Sequence, residues 1–265
     1  MAKFGEQRLV RSDVGRLQRA LFRVLGVADP AHYLHNLYLR RALAGLDGRS
    51  PRRILDAGCG AGDHSFFLAR RFPSATVLGV DVQQHLIERN RAVAAELGLT
   101  NLQFEVADIT RMERAERFDL ITSIDVLEHI VEQRRALSVL AHHLAPGGMT
   151  FFHVPTIRPK PVPFSAWLDA FHEWAEGEHL ADEVTAEKFV EATGASGLRV
   201  KHWHPTFGYW TGEMATSLFA LPYRNTAINR IFQVLLILPC RALVHADPSV
   251  KSGAYYAVAV IAEKA

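Results

Sequence analysis

The sequence predicts an α/β protein: a mostly parallel β-sheet with helices on both faces. Three observations carry this. From residue 52 onward, short apolar runs alternate with helical patterns across short links, which implies a parallel sheet covered on each side. Four of those runs lead into an acid, Asp56, Asp81, Asp108 and Asp125, and the carboxyl ends of strands are where such a sheet places its ligand. After the first run, glycines at alternate positions, Gly58, Gly60 and Gly62, join the strand to a helix, the mark of a turn against which a nucleotide-type ligand lies.

Taken in order, residues 6–24 read as a helix with Leu9, Val10, Val14, Leu17, Leu21 and Phe22 on one face. Ala28-Asp29-Pro30 breaks it, and a second helix runs over about 31–46. Lying just upstream of the first strand, that helix is expected to fold over a cofactor, with Tyr33 and Tyr38 as candidate contacts and His35 and Asn36 of interest beside them. Strand one is 53–57 with a helix over 63–72; strand two is 75–80 with a helix over 83–97. Strand three is 102–107, strand four 118–124 with a helix over about 132–144, and Pro146-Gly147-Gly148 turns the chain into strand five, 149–154.

The glycine turn carries chemical information. The dinucleotide fingerprint G-x-G-x-x-G would put a glycine at Asp63. Here the third glycine is Gly62, and carboxylates stand on both sides of the loop. A pyrophosphate is repelled by that arrangement, whereas a cationic ligand bearing an amino group is attracted. Asp81, 21 residues after Gly60, stands close to where a ribose-binding acid belongs. Asp108 is placed to accept from an exocyclic amine, with Val82 and Ile109 as apolar surfaces for a purine. The bland reading of any one of these acids is a cap of the following helix.

The turn, written D-x-G-x-G-x-G, resembles the first motif of class I S-adenosylmethionine-dependent methyltransferases. Residues 53–62, 78–81, 105–109, 118–130 and 144–154 follow that family's motifs in order and spacing, and 253–264 resembles its last strand. The resemblance implies S-adenosylmethionine as cofactor and a three-layer, Rossmann-like sheet of seven strands, with the last one antiparallel. It implies that Asp56, Ala57, Gly58, Cys59, Gly60 and Gly62 line the methionine part, Asp81 and Val82 the ribose region, and Asp108 and Ile109 the adenine, with Ile124 at the end of strand four. Residues 198–204 fit the penultimate strand, after a helix at about 185–194. The expected organisation is a helical cover over 1–50 and a methyltransferase domain over 51–265, with lid insertions at about 155–183 and 205–250.

Methyl transfer from a sulfonium needs alignment, and a hydroxyl acceptor also needs its proton removed, for which histidine is the usual agent near neutral pH. Asp125, Glu128 and His129 fall within about one turn after strand four, and His153 closes strand five. His129 matches a histidine of sugar and small-molecule O-methyltransferases that can act as base. Asp125-x-x-Glu128-His129 is also similar to the acid-x-x-Glu-His arrangement of quinone-ring O-methyltransferases, where a divalent metal can assist, although the family's first acid is usually Glu. His202 and His204 share a strand face. No cysteine–histidine spacing demands a metal.

Composition bounds the partners. The chain has 265 residues, 49% hydrophobic and 22% charged, ordinary for a globular protein. Residues 1–53 hold eleven Lys/Arg against four acids, and 169–191 hold eight acids against Lys188. Without interleaved aromatics the basic stretch is no nucleic-acid platform, and no nucleic-acid partner is expected; a peripheral contact with lipid is. Cys59 and Cys240 lack disulfide or metal spacing and fit a reducing compartment, so a cytoplasmic location is expected, with no apolar leader. Trp167, His172, Trp174 and His179 in the first insertion, and Phe207, Tyr209, Trp210, Met214, Leu218 and Phe219 with the apolar run 228–244 in the second, are expected to shape a lipophilic acceptor pocket. The reading is a methyltransferase acting on a hydroxyl of a small, lipophilic metabolite. C-methylation of a ring or isoprenoid, and a non-catalytic cofactor-binding protein, are the competing readings.

Overall fold

The computed structural model describes residues 3–10, 16–27, 30–46, 50–156, 185–208, 210–212 and 255–265, with single positions between 242 and 253. The expected sheet is present. Strands β1 (Arg53–Ala57), β2 (Thr76–Asp81), β3 (Leu102–Val106), β4 (Phe118–Ile124), β5 (Leu144–Pro155), β6 (Arg199–Gly208) and β7 (Tyr255–Glu263) form one seven-stranded sheet in the order β3-β2-β1-β4-β5-β7-β6. The first five pair in parallel, and β7 runs antiparallel to both β5 and β6. The chain order reverses beside β1, so the ends of β1 and β4 flank a switch point, where open α/β sheets bind ligands.

Apolar residues alternate across the sheet. Ile54, Val77, Leu120 and Phe151 enter one core cluster, and Leu55, Leu78, Ile121 and Phe152 the other. The first is closed by α2 (Pro30–Ala44), α3 (Asp63–Arg71) and α4 (Gln84–Glu96); the second by α5 (Gln133–His143) and α6 (Ala186–Ala195). Phe151 and Phe152 are fully buried on opposite faces, and truncating either to alanine removes ~3–5 kcal/mol.

Several boundaries differ from the sequence reading. The helix expected over 6–24 is two pieces, a 3-10 turn Glu6–Leu9 and α1 (Arg16–Leu25), with Phe4 bridging to Val27 between them. The N-terminal part packs on the sheet: Phe4, Leu34 and Leu39 share a core cluster with Ile54 and Phe66. Strand β6 extends four residues past His204 despite Pro205; it is an edge strand, where a missing N–H costs nothing. The lid boundaries expected at 155 and 205 therefore fall inside β5 and β6. Trp167, His172, Trp174, His179, Tyr209, Met214, Leu218, Phe219, Cys240 and most of 228–244 lie outside the described residues. Val244, at the end of that run, is buried in the core. Among the described residues no helix is long and apolar enough to cross a membrane.

Candidate active site

The glycine turn is built from both sides of the switch point. Gly58, Gly60 and Gly62 have φ of 78, 49 and 81°, the left-handed region that glycine enters without strain. The N–H groups of Gly58 and Cys59 donate to Val80 O, each at 2.8 Å, and Gly60 N–H donates to Asp81 Oδ2 at 2.8 Å. The loop is thus pinned to the end of β2. Asn90 of α4 donates to Gly60 O at 2.8 Å. A Cβ at Gly58 would sit 2.3 Å from Val126, and one at Gly62 2.9 Å from Phe66, but at Gly60 it would meet nothing within 4 Å. Bare main chain there borders open space.

Asp56 lies beneath the turn, 3% exposed. Ser65 Oγ donates to Asp56 Oδ2 at 2.6 Å and Thr122 Oγ1 to Oδ1 at 2.8 Å. Burial pushes its carboxyl up to about 6, against these donors and with the charge of Asp81 adding to the rise. The first turn of α3 thus reaches back to β1 through the Ser65 hydroxyl. Cys59 is buried beside the same two acids, and burial first, then their charge, pushes its thiol far up.

Asp81 is 8% exposed, and its second oxygen accepts from Gln83 N at 2.9 Å. Val82 beside it is 65% exposed. Asp108 accepts from the Thr110 backbone N–H and hydroxyl through Oδ1, which hold its carboxyl low. Ile109 packs into the core at 5% exposure, so its side chain is not the purine-facing surface expected; Val82 is the exposed apolar group. Tyr33 is buried against Phe4, with ring centroids 5.9 Å apart. Tyr38 OH accepts from Phe207 N–H at 2.9 Å, and the Tyr38 ring stacks on His153. Both tyrosines are held in packing, so they brace α2 against the sheet.

The end of β4 holds a cluster that spacing alone does not show. Ile124, its last residue, is half-buried, and Asp125 follows at φ 54°, a left-handed conformation that costs a non-glycine residue ~1–3 kcal/mol. The bend turns the carboxylate toward two imidazoles: His153 Nδ1 is 2.6 Å from Oδ1, and His35 Nε2, on α2, is 2.7 Å from Oδ2. His153 Nε2 meets Thr206 Oγ1 of β6 at 2.9 Å. Burial opposes the charge of Asp125, but the facing imidazoles hold its carboxyl well below the usual range. His153, 1% exposed, is pushed down by burial. Both of its ring nitrogens are engaged, by Asp125 and by Thr206.

Glu128 and His129 do not join that cluster. They lie on the 3-10 turn Leu127–His129. Glu128 is 5% exposed, with Oε2 buried and unpartnered, and burial, then the charge of Asp125, lifts its carboxyl well above the usual range. His129 has a 42% exposed side chain, with Nε2 3.7 Å from Glu128 Oε1. Among the described residues, the donors within 4.8 Å of one another are those of His35, Asp125 and His153, not the set Asp125, Glu128 and His129.

A further clamp escaped the sequence reading. Arg8 grips Asp63, at the first turn of α3, through Nε at 2.8 Å and Nη2 at 2.6 Å, and Gln7 Nε2 adds a contact at 2.5 Å. It ties the N-terminal segment to the helix behind the glycine turn.

These features fit S-adenosylmethionine: open space on the bare backbone of Gly60, buried carboxylates at Asp56 and Asp81 suited to a cationic nucleoside, and an exposed apolar Val82 beside Asp81. The model of the methyltransferase domain family matches residues 49–205. The trans-aconitate 2-methyltransferase of Streptomyces avermitilis is 29% identical over 68% of this chain and 72% of its own. A ubiquinone biosynthesis O-methyltransferase of Coxiella burnetii is 36% identical over 58% of this chain and 68% of its own. Deinococcus radiodurans trans-aconitate 2-methyltransferase is 40% identical, but over 39% of this chain and 38% of its own. Among solved structures, a geranyl diphosphate methyltransferase bound to S-adenosylmethionine has a TM-score of 0.60 at 16% identity, covering 100% of this chain and 97% of that one, and shares the fold. The chain belongs to the methyltransferase domain family and is an S-adenosylmethionine-dependent methyltransferase of the small-molecule class.

Proposed function

We propose that this enzyme moves the methyl group to a hydroxyl of a small, lipophilic metabolite, with His129 receiving the hydroxyl proton. The observation that carries this is the exposed His129 imidazole on the 3-10 turn after β4, with Nε2 3.7 Å from the buried Glu128, in the same segment as Val126, which lies against Gly58 of the glycine turn. The printed function of the Coxiella burnetii relative, O-methylation in ubiquinone biosynthesis, supports an oxygen acceptor.

When bound, S-adenosylmethionine supplies a methyl carbon already made electrophilic by its sulfonium. The chain supplies the rest. Asp81 binds and orients the ribose, the backbone at Gly60 lets the ligand lie close, and Asp56 lends negative charge beneath it. Glu128, its carboxyl lifted well above the usual range by burial, stands beside His129, which accepts the proton; such assistance contributes ~10²–10⁴-fold. The reading includes a cytoplasmic location and a lipid contact through the basic N-terminal stretch.

The test is transfer from methyl-labelled S-adenosylmethionine to a panel of phenols, quinols, sugars and prenyl alcohols, with the product atom assigned by NMR. We expect an oxygen-linked methyl, and a fall in kcat of ~10²–10⁴-fold for His129→Ala. A carbon-linked methyl, or a full rate in His129→Ala, overturns the reading.

A further inference from the structure

We propose that His35, Asp125 and His153 form a binding site for one small divalent transition-metal cation, zinc being the best match, at the rim of the acceptor cleft. Two imidazole nitrogens and a carboxylate from three separate elements, α2, the end of β4 and β5, bring their donor atoms within 4.8 Å of one another. Two nitrogens and an oxygen with further positions open is a donor set for borderline divalent ions.

Three features support a coordinating arrangement. The His35 and His153 rings stand nearly perpendicular, at 83° with centroids 5.3 Å apart, so they approach the carboxylate from different directions. His153 has an outer partner: once a cation displaces the Nδ1 proton that now bridges to Asp125 at 2.6 Å, Nε2–H donates to Thr206 Oγ1 at 2.9 Å and the Nδ1 lone pair faces the ion. Metal-bound histidines are held by such a bond from the second nitrogen. Asp125 adopts its left-handed conformation in aiming its carboxylate between the rings, and its side chain is 35% exposed while those of His35 and His153 are 11% and 1%. The site is walled by imidazoles and open on the carboxylate side, where water or an acceptor oxygen completes the coordination.

The nitrogen–oxygen pairs now stand 2.7 and 2.6 Å apart. Ligands at ~2.0–2.2 Å from zinc are separated by roughly 3 Å or more, so a bound ion widens these pairs by about half an ångström through side-chain rotation. A cation there lowers the pKa of a coordinated hydroxyl, and His129 then receives the proton. That role rests on the reading of a hydroxyl acceptor; the cation site does not, and it is measured without any acceptor.

The experiment uses tag-free full-length chain, freed of metal by chelator, titrated calorimetrically with Zn²⁺ and followed by visible absorption with Co²⁺. We expect one equivalent bound and d–d bands for Co²⁺. His35→Ala, at a side chain 11% exposed on α2 and checked for folding by its melting curve, weakens binding by about 100-fold or more, beyond the 10–100-fold of an outer-partner loss. Thr206→Val weakens it by ~10–100-fold while keeping the three donors. A chain that binds neither ion, or one whose affinity is unchanged in both His35→Ala and Asp125→Asn, overturns the proposal: the first outcome leaves a purely hydrogen-bonded carboxylate, the second places the ion elsewhere.

Discussion

Gly60→Ala separates the cofactor cradle from the fold that carries it. Gly60 has φ 49°, and an added Cβ meets no atom within 4 Å. The ligand-free chain therefore loses only the left-handed allowance, ~1–2 kcal/mol, or roughly 2–8 °C in Tm at ~2–4 °C per kcal/mol. The open space is where the bound nucleoside lies, so the same methyl presses on the ligand. Overpacking by one carbon costs ~1–3 kcal/mol, which weakens S-adenosylhomocysteine binding by roughly 5–150-fold at 1.4 kcal/mol per tenfold. Gly98, in the turn after α4, is the control: φ is 65°, and again nothing lies within 4 Å. Gly98→Ala should give a comparable fall in Tm with no change in affinity. Melting curves and calorimetric titration of both variants decide it. Wild-type affinity in Gly60→Ala, or equal weakening in Gly98→Ala, refutes the reasoning.

Three further outcomes follow from the buried charges. The Asp56 carboxyl is raised from 3.8 to about 6, so the folded chain holds its proton longer than the unfolded one. Its contribution to stability is complete below pH ~4 and is lost as pH rises through about 6. Urea unfolding should show wild type losing up to ~3 kcal/mol relative to Asp56→Asn between pH 4 and 7; a pH-independent difference contradicts the burial argument. Arg8→Ala leaves Asp63 without its bidentate partner and should cost ~1–3 kcal/mol, read as a fall of several degrees in Tm, with Asp63→Asn in the same chain restoring part of it. Because burial lifts the Glu128 carboxyl well above the usual range and so favours its neutral form, Glu128→Gln should leave stability and methyl transfer close to wild type; a large loss in either shows that the charged form is used.

The sheet was legible because its signals are local. Apolar runs that alternate between two core faces, with an acid in or just after β1, β2 and β4, marked the five parallel strands; the count of seven and the antiparallel last strand came from the family resemblance. The misplacements have physical causes. The strand expected over 198–204 runs on to Gly208, because β6 is an edge strand that tolerates Pro205; Pro146-Gly147-Gly148 reads as a turn, yet the pairing of β4 with β5 absorbs it as an irregularity between Phe118 and Leu120. The site was legible where it is contiguous, from Asp56 to Gly62 and at Asp81. The His35–Asp125–His153 cluster, the Thr206 contact and the Arg8–Asp63 clamp join residues far apart in sequence. A lone histidine on a helix carries no spacing signal, so the approach of α2 to the end of β4 had to be seen. His153 illustrates the converse: its place at a strand end pointed to the lip, and its burial turned it into an anchor.

The most direct measurement is a calorimetric titration of the wild-type chain with S-adenosylhomocysteine. A single saturable site, weakened when Asp81 is replaced by asparagine, is the predicted result. A chain that takes up no S-adenosylhomocysteine but binds NAD would contradict the account.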